Sequence, residues 1–267
     1  MPSYSPAEVA AQYATERHLR TRIGTHERYS VGPGLEGTVD RLLALSGDEA
    51  LLDVGMGPGD FPGRLRQEGH RGRIVGVDFS AGMVERASEQ YPEVEFLQGD
   101  AAALPFADAS FDVVTARHML YHVPDVAAAL AEFRRVLKPT GHFLAVTNAS
   151  GYMAELWEAV AEALPGETIL TELLSHRGGS EVFSEVHGEA LVRAAFGNVQ
   201  LDFVDGALAF DGPGPVLAYL ESMSPMHRLT PDGLERIRAA LTQVLTARTQ
   251  GGEWRVSKRV VFISAQR

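Results

Sequence analysis

Hydrophobic and polar positions along the chain predict helices and strands in alternation. An amphipathic helix is expected over 5–23, ended by Gly24, and a second over 35–45. Short apolar runs then alternate with segments of helical spacing. These runs, predicted as buried strands, are 50–54, 73–77, 94–97, 111–116 and 142–147. The alternation predicts an α/β fold, a parallel sheet with right-handed crossovers and helices on both faces.

The last third of the chain is less regular. Helical spacing recurs over 152–164, 184–196, 216–223 and 231–249, and strands are predicted within 199–210 and over 254–263. The loop-rich stretch 165–180 lies between two of these helices. The segment 151–180 is predicted either as a lid over the strand ends or as an ordinary outer helix with its loop.

A glycine-rich turn follows the first of these strands. Asp53 lies two places before Gly55, and Gly57 and Gly59 complete a G-x-G-x-G pattern followed by Asp60. The dinucleotide-binding fingerprint has the spacing G-x-G-x-x-G instead. Two carboxylates beside the loop would repel a diphosphate, whereas they suit a cationic ligand such as the amino-acid end of S-adenosylmethionine. A turn with no ligand is the alternative.

Polar residues also follow the next two strands. Asp78 can accept hydrogen bonds from a ribose diol, since Ser80 is the better helix cap. Asp100, with the Ala101 backbone N–H, can bind the edge of an adenine, or it belongs to an Asx turn. Phe79 and Met83 are interpreted either as walls of an adenine slot or as core.

Composition narrows the function classes. A net charge of −11 over 267 residues argues against a nucleic-acid partner, which needs a basic surface. The absence of cysteine excludes disulfides and thiolate metal sites. No apolar run approaches the length of a membrane span, so no membrane insertion is expected, and without a targeting pattern the expected location is the cytoplasm.

Successive motifs resemble those of class I S-adenosylmethionine-dependent methyltransferases, in the branch that includes ubiquinone- and menaquinone-biosynthesis-type enzymes. The resemblance covers about 35–150 and depends on motifs in the right order: Leu51 to Gly59, Gly76 to Met83, Gln98 to Ala101, Leu104 to Phe106, Ser110 to Val114 and Leu137 to Gly141. The flanks, Arg22 to Ser30 and Arg117 to Val123, are similar to a bacterial subgroup with a tyrosine-rich N-terminal segment.

The resemblance implies a Rossmann-like, doubly wound, mostly parallel seven-stranded sheet with the last strand antiparallel, plus N-terminal helices and a helical lid. It divides the chain into four parts. An N-terminal helical segment (1–34) would close the active site and precede the cofactor-binding core (35–150). A lid or acceptor-site insertion (151–190) and the C-terminal part of the core sheet (191–267) would follow.

The resemblance also implies roles for individual residues. Asp53 and the Gly55 and Gly57 backbone would hold the methionine moiety, and Arg117 would touch it mainly through its own backbone. Asp78 would bind the ribose. The adenine would contact Phe79, Met83, Asp100 and Ala101. Met56 replaces the usual cysteine or alanine. Arg117 to Leu120 replace the Asn-Pro-Pro-Tyr motif of adenine methylases, which argues against DNA adenine methylation.

The catalytic candidates come from the residues after the fourth strand of the core and from the N-terminal segment. His118 is the first choice as proton acceptor, given an unperturbed histidine pKa of about 6.5. His26 and Tyr29 are candidates that close the pocket, or else packing residues. His118 and His122 are four apart but lack the H-E-x-x-H glutamate and a third ligand, so no metal site is expected.

The function predicted first is methyl transfer from S-adenosylmethionine to an O, N or C atom of a small-molecule acceptor by in-line displacement. The alternatives are a nicotinamide-dependent oxidoreductase on a related fold, a non-catalytic S-adenosylmethionine-binding protein, and a methyltransferase acting on a protein. The chain is expected to be a monomer or a homodimer.

Overall fold

The computed structural model describes residues 16–175 and 179–267. The beginning of the first predicted helix, residues 5–15, lies outside the described residues. In the described part, no helix is both long and apolar enough to cross a bilayer.

One mixed sheet organises the chain, with the strand order β1-β7-β8-β6-β5-β2-β3-β4. Neighbouring strands from β4 across to β6 are parallel, whereas β8 runs antiparallel to both β6 and β7. The strands are β1 (Ser30–Val31), β2 (Leu51–Val54), β3 (Ile74–Asp78), β4 (Glu95–Gln98), β5 (Phe111–Arg117), β6 (Leu137–Asn148), β7 (Val199–Phe210) and β8 (Trp254–Gln266).

Helices cover both faces of this sheet, as the predicted α/β fold requires. They are α1 (Glu16–Tyr29), α2 (Leu35–Leu43), α3 (Asp60–Gln67), α4 (Ala81–Gln90), α5 (Val126–Val136), α6 (Ala154–Ala163), α7 (Thr168–Ser175), α8 (Glu185–Phe196), α9 (Pro213–Glu221) and α10 (Pro231–Thr249). Ser80 and Asp125 cap α4 and α5 with their side chains, as their positions suggest. Two apolar clusters fill the spaces on either side of the sheet, and the larger one contains residues of α6, α9 and α10.

The sheet has eight strands rather than seven. The additional strand, β1, is two residues long and pairs antiparallel with Ala207 and Leu208 of β7. An edge strand leaves backbone N–H and C=O groups unpaired, and the chain leaving α1 pairs with some of them. The prediction of a mostly parallel sheet with its last strand antiparallel is confirmed.

Three local predictions are wrong for physical reasons. Helix α1 continues through Gly24 to Tyr29, because buried neighbours such as Thr25 offset the roughly 1 kcal/mol that a helical glycine costs. Strand β6 begins at Leu137 rather than 142, with irregular pairing opposite β5. Helix α7 lies within the stretch predicted as loop, and it buries Ile169 and Leu173.

The N-terminal segment and the predicted lid pack on the core. Helix α1 contacts α9 and β7, while α6 contacts α10 and β8. Leu156, Trp157 and Val160 of α6 are buried against the sheet. The four-part division of the chain stays a prediction.

Candidate functional site

The glycine loop between β2 and α3 carries three residues with positive φ: Gly55 (68°), Gly57 (57°) and Gly59 (81°). A methyl group added at Gly55 would lie 2.5 Å from Cβ of Met119, and one at Gly59 would lie 2.8 Å from Cβ of Ala87. At Gly57 the same methyl group would meet nothing within 4 Å. The outer two glycines therefore allow close packing, and Gly57 is the one that faces open space.

Asp78 holds this loop in place. Its Oδ2 accepts a hydrogen bond from the Gly57 backbone N–H at 2.9 Å, and its Oδ1 accepts one from the Ser80 N–H at 2.9 Å. Burial raises the pKa of Asp78, although these backbone donors favour the charged form. The carboxylate predicted to meet a ribose thus lies directly beside the open face of the loop.

Asp53 is a buried acid at the end of β2, with 2% of its surface exposed. The Thr115 hydroxyl donates to its Oδ1 at 2.6 Å. Burial raises the pKa of Asp53 to about 6, outweighing the opposite influence of Arg117 and of the Thr115 hydrogen bond. A cationic ligand beside Asp53 would restore its charge at lower pH, which suits the predicted ammonium partner. Thr115 was not predicted as a site residue, although its position in β5, opposite Asp53, could have suggested it.

Arg117 lies at the end of β5. Its guanidinium lies 4.2 Å from the ring centroid of Phe61, and its Nη1 donates to Glu36 of α2 at 3.0 Å. These contacts hold the side chain toward α2, while the Arg117 Nε is buried without a hydrogen-bond partner among the described residues. Glu36, which also pairs with Arg64, was not predicted.

The adenine-edge residues lie at the next strand end. Gly99 N–H donates to the Asp78 carbonyl oxygen at 3.0 Å, which ties the end of β4 to that of β3. Asp100 is exposed, and its Oδ1 accepts from the Ala102 N–H at 2.9 Å, as in the Asx-turn alternative. Ala101 is buried beside it.

The two predicted walls of the adenine slot differ from each other. Phe79 is 46% exposed, an unusual position for a large apolar ring, whereas Met83 is 2% exposed. Phe79 is therefore available to cover a flat ligand, and Met83 belongs to the packed interior behind it.

His118 occupies a left-handed backbone turn (φ 52°) directly after β5, and its N–H donates to the Val146 carbonyl oxygen at 2.7 Å. Burial, together with the charges of Arg117 and Lys258, lowers its pKa to about 4. The unperturbed value assumed from sequence is therefore wrong, because this imidazole is withdrawn from water and flanked by cations. At neutral pH His118 is uncharged and able to accept a proton.

The N-terminal candidates, His26 and Tyr29, are three residues apart on α1 and pack against different aromatic rings. Burial lowers the pKa of His26 to about 3, helped by Lys258 and His118, so His26 and His118 influence each other electrostatically. The Tyr29 ring packs 5.3 Å from that of Phe210, near the end of β7. The catalytic assignments of His118, His26 and Tyr29 stay predictions.

In the ranges 16–175 and 179–267, no group of three or more histidine, aspartate or glutamate side chains is placed to hold a metal ion.

Comparison with known proteins points to one family. Residues 52–145 match the family model described as a methyltransferase domain. The demethylmenaquinone methyltransferase of Lactococcus lactis subsp. lactis is 41% identical over 118 residues, which is 42% of this chain and 46% of that protein. The 2-phytyl-1,4-naphtoquinone methyltransferase of Thermosynechococcus vestitus is 41% identical over 103 residues, 37% of this chain and 46% of that protein. The chain thus spans less than half the length of these curated relatives.

Similar folds extend over nearly the whole chain. A proposed methyltransferase of an antibiotic biosynthesis pathway from Anabaena variabilis matches with a TM-score of 0.64 at 17% identity, covering 91% of this chain and 98% of that one. The cyclase SpnF matches with a TM-score of 0.62 at 18% identity, covering 99% and 98%. Residues 52–145 therefore match a methyltransferase domain, and the fold of nearly the whole chain is similar to that of these solved structures.

Proposed function

We propose that this protein transfers a methyl group from S-adenosylmethionine to an O, N or C atom of a small-molecule acceptor. The observation that carries the proposal is the open face of the glycine loop at Gly57, held by Asp78 and bordered by the buried Asp53. The methyltransferase domain and the relatives that methylate quinone precursors by name support the same reaction.

The residues present fit S-adenosylmethionine. A buried acid of raised pKa suits an ammonium group, a carboxylate beside Gly57 suits a diol, and an exposed Phe79 suits an adenine face. Asp53 and the loop backbone would hold the methionine part, Asp78 the ribose, and Phe79 with Asp100 and Ala101 the adenine. When bound, the cofactor supplies a methyl group already activated on a sulfonium.

The chain's own contribution is then mostly positioning, which can supply a large part of the rate enhancement. His118 follows the strand next to Asp53 and is uncharged at neutral pH, so it can take a proton from the acceptor. Its lowered pKa makes it a weak base at neutral pH, so it suits an acceptor whose proton is acidic or which is already ionised.

A matched pair of glycine variants tests the cofactor site. Gly57 and Gly69 both have positive φ, 57° and 97°, and neither has an atom within 4 Å of an added methyl group. Both Gly57→Ala and Gly69→Ala therefore strain the backbone, but only the first fills the space beside Asp78. By calorimetry, Gly57→Ala is expected to weaken S-adenosylhomocysteine binding at least about ten-fold, or 1.4 kcal/mol, and Gly69→Ala to leave it unchanged.

Wild-type protein that binds NADH and not S-adenosylhomocysteine would overturn the cofactor assignment in favour of the oxidoreductase alternative. Fold alone does not decide the reaction, because one fold neighbour is a cyclase. The direct readout is S-adenosylhomocysteine release from S-adenosylmethionine across a panel of small acceptors. Binding without release on any acceptor would favour the non-catalytic alternative.

A further inference from the structure

A cluster of basic side chains lies on the acceptor side of the strand ends. Arg22 and His26 are four residues apart on α1 and so share one helix face. Lys258 lies two positions along β8 from the buried Val256 and two from the buried Val260. Since every second residue of a strand points to the same side, the Lys258 side chain lies on the same face of the sheet as these valines. Strand β8 pairs with β6, whose Val146 carbonyl accepts the His118 N–H, and the positive charge of Lys258 lowers the pKa of both His26 and His118.

The two permanent cations of this cluster have uncharged partners. Arg22 Nη1 donates to the Ser222 carbonyl oxygen at 2.8 Å, and Lys258 Nζ donates to the Ser30 hydroxyl at 2.9 Å. Within the described residues, Arg22 Nη2 and His26 Nδ1 are buried without a hydrogen-bond partner. Other cations nearby are neutralised, as Arg259 is by Asp205 at 3.2 Å.

Both cations are partly buried, and a cation withdrawn from water without a counter-ion is costly; partial burial accordingly lowers the pKa of Lys258. The charged groups that act on His26 and His118 are all basic: Arg22, Arg117 and Lys258. Arg117 is paired with Glu36, whereas Arg22 and Lys258 have no acidic partner among the described residues, so these two leave an excess of positive charge that one anion would reduce.

Aromatic rings border the same cluster. The ring centroid of His26 lies 5.9 Å from that of Tyr219 and 6.3 Å from that of Tyr152. Both tyrosines are buried. Burial raises the pKa of Tyr219 and of Tyr152 above the usual range, so neither supplies the missing negative charge at neutral pH. Flat apolar surfaces next to unpaired donors suit an aromatic ligand with one acidic group.

We propose that the acceptor binds as an aromatic anion, a carboxylate or an ionised phenol, with its negative oxygen paired with Lys258 and Arg22 and its ring against Tyr152 and Tyr219. The proposal rests on the proposed function, because it assigns the acceptor of the methyltransferase. It adds the charge and shape of that acceptor.

The test compares ligands of one shape and different charge, with S-adenosylhomocysteine saturating. In calorimetry at neutral pH, 2-naphthoate is expected to bind at least about ten-fold more tightly than 2-naphthamide. The phenol arm uses 4-nitrophenol, whose phenolate absorbance is expected to increase on binding. A response from 2-naphthoate alone would assign a carboxylate, and a response from 4-nitrophenol alone would assign a phenolate.

Variants of the basic residues test whether the cluster causes the preference for 2-naphthoate over 2-naphthamide. Lys258→Met is expected to remove the preference for 2-naphthoate, while Arg259→Met, the neighbouring cation already paired with Asp205, retains it. Should Lys258→Met fail to fold, Arg22→Gln serves the same purpose. Equal binding of acid and amide by wild-type protein, or an equal loss in the Arg259→Met control, would overturn the proposal.

The two hypotheses fail in different ways. If S-adenosylhomocysteine binds but the acid and the amide bind alike, only the anionic acceptor is refuted. If S-adenosylhomocysteine does not bind, the proposed function is refuted. The naphthoate preference, measured without S-adenosylhomocysteine, then decides separately whether the cluster is an anion site.

Discussion

The two halves of the strand-end region have opposite electrostatic character. On the side of β2, β3 and β4, the side chains at or near the strand ends are acids: Asp53, Asp78 and Asp100. On the side of β8 and α1, they are Lys258, Arg22 and two histidines of low pKa. A sulfonium nucleoside suits the first half, and an anionic acceptor suits the second.

The halves also differ in how they are built. Each acid ends its own strand, so a short local motif encodes it. The basic cluster is assembled from residues 22, 26, 118 and 258, which meet only because β8 lies beside β6 and α1 packs near it. The proposed cofactor site consists of local motifs, so it can be predicted from sequence resemblance. The proposed acceptor site consists of residues far apart in the chain, so it can be identified only from the three-dimensional structure.

Removing the central acid of the first half has the largest expected effect. Asp78→Ala deletes the acceptor of two backbone hydrogen bonds, from Gly57 and Ser80, together with the predicted ribose partner. Hydrogen bonds to a charged group contribute roughly 1.5–3 kcal/mol each, so S-adenosylhomocysteine affinity measured by calorimetry is expected to fall about a hundred-fold.

The control for that variant is Asp60→Ala. The sequence suggests Asp60 as a second carboxylate beside the loop, but its Oδ1 accepts from the Tyr91 hydroxyl at 3.1 Å instead of from the loop backbone. The affinity of Asp60→Ala for S-adenosylhomocysteine is therefore expected to stay within about two-fold of wild type. Unchanged affinity in Asp78→Ala would remove Asp78 from the ribose role and break the contrast between the halves.

Much of the fold was predictable because its signals are local. Strands β2 to β5 were predicted within one or two residues, and the helix over 231–249 was placed with the observed ends. The eighth strand was not predictable, since two residues carry no periodicity and pair only because β7 offers an edge. The low pKa of His118 was equally hidden, because it depends on burial and on Lys258, 140 positions away in a chain of 267 residues.

The raised pKa of Asp53, in the acidic half, predicts a dependence of stability on pH. The pKa of Asp53 is about 6 in the folded protein and about 3.8 as an ordinary value, so the folded state holds the proton more tightly. The contribution of Asp53 to stability should therefore fall as pH rises from about 4 to about 6, and its full penalty remains above that range. Asp53→Asn keeps an acceptor for Thr115 and removes the penalty.

The expected result for Asp53→Asn at pH ~7.5 is an unfolding free energy higher by roughly 1–3 kcal/mol, with S-adenosylhomocysteine bound about ten-fold more weakly. Chemical denaturation and calorimetry at about pH 7.5 and pH 4 measure both. Asp112→Asn is the opposite control: Lys138 lowers the pKa of Asp112, so that variant should lose stability at the higher pH. Equal destabilisation of Asp53→Asn at both pH values would contradict the raised pKa.

The smallest effect is expected where the two halves meet, at His118. Its φ of 52° belongs to the left-handed region, which asparagine tolerates better than alanine does. His118→Asn and His118→Ala both remove the imidazole, but His118→Asn is expected to be more stable by roughly 0.5–1 kcal/mol in chemical denaturation. Ala109 (φ 54°), on an exposed loop, gives the control Ala109→Asn, whose unfolding free energy should increase by a similar amount.

If the imidazole accepts the proton, methyl transfer falls equally in both His118 variants while S-adenosylhomocysteine affinity is retained. If methyl transfer instead follows the stability difference, His118 contributes only the shape of the turn.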